Sequence, residues 1–122
     1  MPRNVAVGKC VLLLVYNVPE DFQTLSWYKS VYRTDKFKIA EYSKATESTL
    51  WGLARSRKEM VYMNGSLLIQ NVTENDAGLY MLEILHKDLK MEKAYVQVHV
   101  NSKLLSLASN CFAWLILLYM LD

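Results

Sequence analysis

The sequence predicts an all-β domain of two antiparallel sheets packed face to face, and three observations predict it. Seven short alternating or continuous apolar runs follow one another between residues 5 and 100, the pattern of a sandwich. Turn-forming clusters separate runs at Asn17–Pro19, Asn64-Gly65 and Asn75–Gly78. No stretch in this region sustains a 3.6-residue apolar period long enough for a core helix.

Taken in order, "CVLLLVYN" (10–17) alternates so that Val11, Leu13 and Val15 face inward. Cys10 has the opposite parity and is expected to face outward as a free thiol. "TLSWYKS" (24–30) places Leu25 and Trp27 on one face, and "KFKIAEYS" (36–43) alternates Phe37 and Ile39 with charged or small partners. "EMVYM" (59–63), "SLLIQNV" (66–72), "GLYMLEIL" (78–85) and "KAYVQVHV" (93–100) complete the set. The composition changes at Asn101-Ser102-Lys103. The expected boundaries are therefore 1–100 for the sandwich, with a truncated first strand, and 101–122 for an apolar tail.

Composition narrows the function. The 122 residues suffice for one domain, and 52% hydrophobic with 21% charged residues is a globular balance. A formal net charge of +2 does not point to nucleic acid. Cys10 and Cys111, with His86 and His99, lack metal-ligand spacing. No nucleophile sits in an activation motif and no glycine loop cradles phosphate, so neither an enzyme nor a cofactor is expected. The first ten residues hold no secretory leader. Residues 104–121 are uncharged and would span about 27 Å as a helix, just short of a hydrocarbon core. Three readings of the tail stay open: a membrane or anchor-signal segment, a transcript end without an evolved role, and a helix packed on the domain or self-associating.

Four positions specify the type of sandwich. Val15 ends an inward alternation, Trp27 lies twelve residues later, and Asp76-x-Gly78-x-Tyr80 leads to Leu82. In immunoglobulin variable-type domains the first and last positions hold the inter-sheet disulfide, the tryptophan packs on it, and the tyrosine forms a corner. Val15 and Leu82 replace the cysteines, which predicts an immunoglobulin V-type sandwich lacking its inter-sheet disulfide. Losing such a bond costs about 2–5 kcal/mol. Burying two aliphatic side chains contributes roughly 1.5–3 kcal/mol each, so the exchange is near even.

"VLLLVYNVPE", "SWYK" and "NGSLLIQNVTENDAGLY", with the missing disulfide, resemble the N-terminal V-type domain of the carcinoembryonic antigen family. That family comprises related adhesion molecules and pregnancy-specific glycoproteins, and "EDFQTLSWYKS" with "EMVYMNGS" is most similar to rodent members. Against the family pattern, the sequence reads as one expected to lack a leader, the start of strand A and further domains. The family's "SGRE" is "SRKE" in this chain, which aligns Lys58 with an arginine that pairs with the Asp76 equivalent. Lysine lacks the bidentate fork, so a weaker Lys58–Asp76 bridge is expected, with Arg57 a competitor.

The resemblance implies a non-catalytic recognition domain, cell-surface or secreted, that docks adhesive, immune or endothelial partners through the face of strands G, F, C, C' and C''. The matching positions are Gln23, Ser26, Tyr28, Lys38, Glu83, Leu85, Met91 and Lys93. Tyr28 and Leu85 are expected as exposed anchors in a polar surround. Gln23 stands where adhesive members carry an aromatic residue. Asn64-Gly65-Ser66 and Asn71-Val72-Thr73 are N-glycosylation sequons at family glycan positions. Lys29, Arg33, Lys36, Lys38, Arg55, Arg57 and Lys58 form a basic set with which sulfated glycans would pair if it were grouped on one side. The competing reading is a truncated or tail-anchored transcript product with no binding role of its own.

Overall fold

The computed structural model describes residues 2–6, 8, 10–16, 18, 21–30, 34–56, 58–62, 65–101 and 112–117. Its strands in chain order are β1 Pro2–Ala6, β2 Val11–Tyr16, β3 Phe22–Tyr28, β4 Lys38–Ser43, β5 Ser48–Trp51, β6 Glu59–Val61, β7 Leu67–Ile69, β8 Gly78–His86, β9 Met91–Asn101 and β10 Phe112–Leu117. One sheet runs β1-β9-β8-β3-β4-β5 and the other β10-β2-β7-β6. The pairings are antiparallel except at two edges, where β1 runs parallel to β9 and β10 parallel to β2.

Alternation builds the space between the sheets. Val11, Leu13 and Val15 of β2 face Leu25 and Trp27 of β3, with Leu67 and Ile69 of β7 and Tyr80, Leu82 and Ile84 of β8 in one buried cluster. Val15, Trp27, Tyr80 and Leu82 are each no more than 2% exposed. Leu82 stands beside Trp27 in register, so aliphatic side chains and the indole occupy the region where an inter-sheet disulfide lies in related folds.

Polar groups within this core are satisfied. The Trp27 indole Nε1–H donates to the Gly65 carbonyl at 2.7 Å, and the Val15 amide donates to Ser66 Oγ at 3.0 Å. Gly65 has φ +90°, and a Cβ there would lie 2.4 Å from Leu25 Cδ1. Glycine is required on both counts. The Tyr80 hydroxyl donates to the Asp76 carbonyl at 2.6 Å, closing the tyrosine corner. Burial pushes the Tyr80 hydroxyl's pKa upward, and the charges of Asp76 and Glu59 add to the shift.

The structure differs from expectation at Cys10. It is buried and disulfide-bonded, and no cysteine among the described residues is free. Strand parity failed because Cys10 precedes β2, outside the regular ladder. Cys111, the only other cysteine of the chain, lies outside the described residues. Each cysteine immediately precedes a member of the Val11–Phe112 register pair that opens the β2–β10 ladder.

The seven apolar runs read from the sequence did not locate three strands, β1, β5 and β10. Each lies at a sheet edge, where one-sided pairing weakens the alternating signal. Within the apolar tail, Phe112–Leu117 is a strand beside β2. No helix among the described residues is long and apolar enough to cross a membrane.

Candidate functional site

The outward side chains of the six-stranded sheet stand in rows, because registered strands point alternate residues to the same face. One row reads Tyr95, Met81, Tyr28, Lys38; the next Lys93, Glu83, Ser26, Glu41, Leu50; the third Met91, Leu85, Thr24, Ser43, Ser48. In family terms β9, β8, β3, β4 and β5 are strands G, F, C, C' and C''. Seven of the anticipated positions fall in these rows. Gln23 lies at their end, in a β-bulge between Phe22 and Thr24 of β3.

The middle of the face is tightly packed. Ser26, Tyr28 and Glu83 are 4%, 4% and 3% exposed. Tyr28 is thus a buried member of the face and not the exposed anchor expected. Lys38 reaches across it, with the ammonium 5.9 Å from the ring centroid, and also pairs with Glu41 Oε1. Ser26 Oγ lies 3.4 Å from the same carboxylate oxygen. Leu85 is half-buried.

The accessible apolar groups lie on the flanks. Tyr95 is 52% exposed on β9, next to the row mates Met81 and Tyr28. Met91 is exposed beside Leu85, and Leu50 is exposed on β5. Sequence reasoning overlooked Tyr95, although its signal was present: in "KAYVQVHV" it has the parity opposite to Ala94, Val96 and Val98.

Beneath the sheets, Lys58 Nζ forms an ion pair with Asp76 Oδ2 and donates to the Asn71 carbonyl at 3.2 Å. Asp76 Oδ2 also accepts the Thr73 amide at 2.8 Å, as part of a capping box on the short 3-10 turn Glu74–Asp76. The Thr73-x-x-Asp76 spacing carried that signal in the sequence. Arg57 and Asn64 lie outside the described residues. Asn71 is exposed at a bend with φ +47°. The hydroxyl of the other sequon, Ser66, is buried.

The basic set is not a single patch. Lys29 donates to the Asn75 carbonyl, Lys38 pairs with Glu41, Lys58 with Asp76, and Arg55 stacks 3.8 Å from the Trp51 ring centre. Lys36 sits over its neighbour Phe37, and Arg33 lies outside the described residues. His86 is buried, its Nε2 3.0 Å from Glu92 Oε1 and its Nδ1 3.7 Å from Asp21 Oδ1. His99 is exposed on β9. Among the described residues no group of three His, Cys, Asp or Glu side chains is placed to hold a metal ion.

Comparison with known proteins agrees with this architecture. The family described as "Immunoglobulin V-set domain" matches residues 1–101. "Cell adhesion molecule CEACAM5" of Mus musculus is 78% identical over 102 residues, 84% of this chain and 11% of that protein. "Pregnancy-specific glycoprotein 22" of Mus musculus is 52% identical over 101 residues, 83% of this chain and 21% of that protein. A crystal structure of a mouse coronavirus receptor-binding domain complexed with its murine receptor contains a similar chain. That chain is 34% identical with a TM-score of 0.77, over 81% of this chain and 50% of the other. The present chain thus spans no more than about a fifth of the two curated relatives.

Proposed function

Because the chain belongs to the immunoglobulin V-set family, as a domain of the carcinoembryonic antigen type, we propose that it is a non-catalytic, cell-surface or secreted recognition module. It docks protein partners through the outward face of β9, β8, β3, β4 and β5. The observation that carries this reading is the arrangement of that face: a packed polar centre of Ser26, Tyr28 and Glu83, flanked by the exposed Tyr95, Met91 and Leu50. Aromatic and methionine side chains are enriched at interfaces, and anchors gain most where neighbours exclude water. Partners of the relatives' kind fit this surface: a second family domain, or a viral receptor-binding domain of the type joined to the murine receptor.

The test uses this chain with two probes, a second copy of itself and that viral domain. Tyr95→Ala should weaken binding to at least one probe by roughly 10-fold or more, the scale of an interface anchor, while leaving the unfolding midpoint within about 2 °C. Binding to neither probe, or unchanged affinity in Tyr95→Ala and in Met91→Ala, refutes the assignment. Tyr28→Ala is less discriminating, because Tyr28 is buried and its truncation also alters packing.

A further inference from the structure

We infer that the open edge of β5 is a self-association site, where a second copy of this chain adds antiparallel to β5 and makes one sheet continuous across two molecules. β5 ends the six-stranded sheet, and among the described residues no strand pairs with its outer edge. Its other edge is bonded to β4, with Leu50 opposite Glu41 and the Gly52 amide donating to the Ile39 carbonyl at 2.7 Å. Antiparallel ladders alternate, so the N–H and C=O groups of Thr49 and Trp51 point to the open edge. An exposed row of this kind is a template for strand addition, and proteins commonly blunt it with proline or charge. β1, at the opposite edge of the same sheet, carries Pro2 and Arg3, whereas Ser48–Trp51 of β5 holds neither a proline nor a charge.

This edge is complementary to itself. Leu50 is 70% exposed and shares the outward side of the sheet with its register mate Glu41, while Thr49 and Trp51 alternate to the other side. A twofold axis at Leu50 brings Thr49 opposite the partner's Trp51, the hydrogen-bonded pair that the open backbone groups require. It also sets Leu50 against the partner's Leu50. A β-branched residue facing an aromatic one is a favourable cross-strand pair, and the two leucines shield each other from water. Charge selects the antiparallel direction. The exposed Glu47 precedes the strand and Arg55 follows it. Antiparallel addition places each acid at the end of the neighbouring strand that carries Arg55, whereas parallel addition would set like charges side by side. The Arg55 guanidinium stacks 3.8 Å from the Trp51 ring centre, and its buried Nε has no hydrogen-bond partner among the described residues. Arg55 is thus held beside the edge with donors to offer a carboxylate.

The test is sedimentation of the whole chain together with cysteine cross-linking. Wild type should dimerise reversibly with a dissociation constant on the order of 0.1 mM, as suits a small interface. Leu50→Lys sets two cations against each other at the axis and should weaken the dimer roughly tenfold or more. Leu50→Cys places two thiols in a non-hydrogen-bonded pair, where Cα atoms stand about 4.5 Å apart. That separation is within reach of a disulfide, so mild oxidation should give a covalent dimer. Leu53→Cys, also exposed but away from the axis, should cross-link roughly tenfold more slowly. Equal cross-linking of the two variants, a wild-type chain that stays monomeric at about 1 mM, or self-association that Leu50→Lys leaves unchanged overturns the proposal. Tyr95→Ala should leave the edge dimer intact, so failure of the edge and failure of the partner-binding face are read separately.

Discussion

Replacing Lys58 with methionine removes the cation from Asp76 while keeping the length of the side chain. Asp76 is 5% exposed, so its carboxylate cannot recover full hydration. It would retain the Thr73 amide at 2.8 Å and, less favourably, Thr73 Oγ1 at 3.4 Å. Breaking a fully buried ion pair by removing one partner costs about 3–5 kcal/mol. The Lys58 side chain is 23% exposed, so water reaches the pair. With one strong donor surviving, the expected cost falls to about 1.5–3 kcal/mol. Lys58→Arg should stabilise by up to about 1 kcal/mol, because a guanidinium can engage the carboxylate with two donors. Urea unfolding of wild type, Lys58→Met, Asp76→Asn and the double variant isolates the pair. The expected coupling energy is about 1–2 kcal/mol, and one below about 0.5 kcal/mol would refute the reasoning.

Gly65→Ala should destabilise by about 2–4 kcal/mol, since it combines a left-handed backbone with overpacking against Leu25. The Trp27 indole N–H, bound to the Gly65 carbonyl, should exchange faster in that variant by NMR. Tyr80→Phe should cost about 1–2 kcal/mol for the lost hydrogen bond to Asp76. Because folding raises the Tyr80 pKa, the folded state holds its proton more tightly than the unfolded state, so this contribution is complete below about pH 10 and declines as pH rises further. Alkaline denaturation should therefore fall less steeply in Tyr80→Phe than in wild type; equal slopes would contradict that linkage.

The central strands were legible because burial on one face enforces alternation. Val11, Leu13 and Val15 declared β2, and the spacing from Trp27 to Leu82 declared the sandwich type. The same periodicity held the sign for Tyr95, yet a periodic pattern gives direction and not accessibility. Tyr28 points outward and is still covered, because Met81 and Lys38 flank it across neighbouring strands. That covering depends on register between distant segments, which a single strand does not encode. The edges were harder. Leu50 and Trp51 of β5 are both exposed, so the strand lacks an inward–outward contrast. The β10 residues are continuously apolar, a pattern that strand and helix share. Cys10 was misread for a related reason: parity applies only within a regular strand, and β2 begins one residue later. The Lys58–Asp76 pair followed from the family resemblance, whereas the bulge at Gln23 is not announced by local composition.

Hydrogen exchange of the backbone amides in Leu25–Trp27 and Tyr80–Ile84, under conditions that reduce the disulfide at Cys10, asks whether the two sheets cohere without a covalent cross-link. If Val15, Trp27 and Leu82 hold them together by packing, these amides should stay protected at a level close to the global unfolding free energy after reduction. Exchange at the rate of an unfolded chain after reduction would contradict the account, because it would show that packing around Trp27 does not suffice to hold the fold.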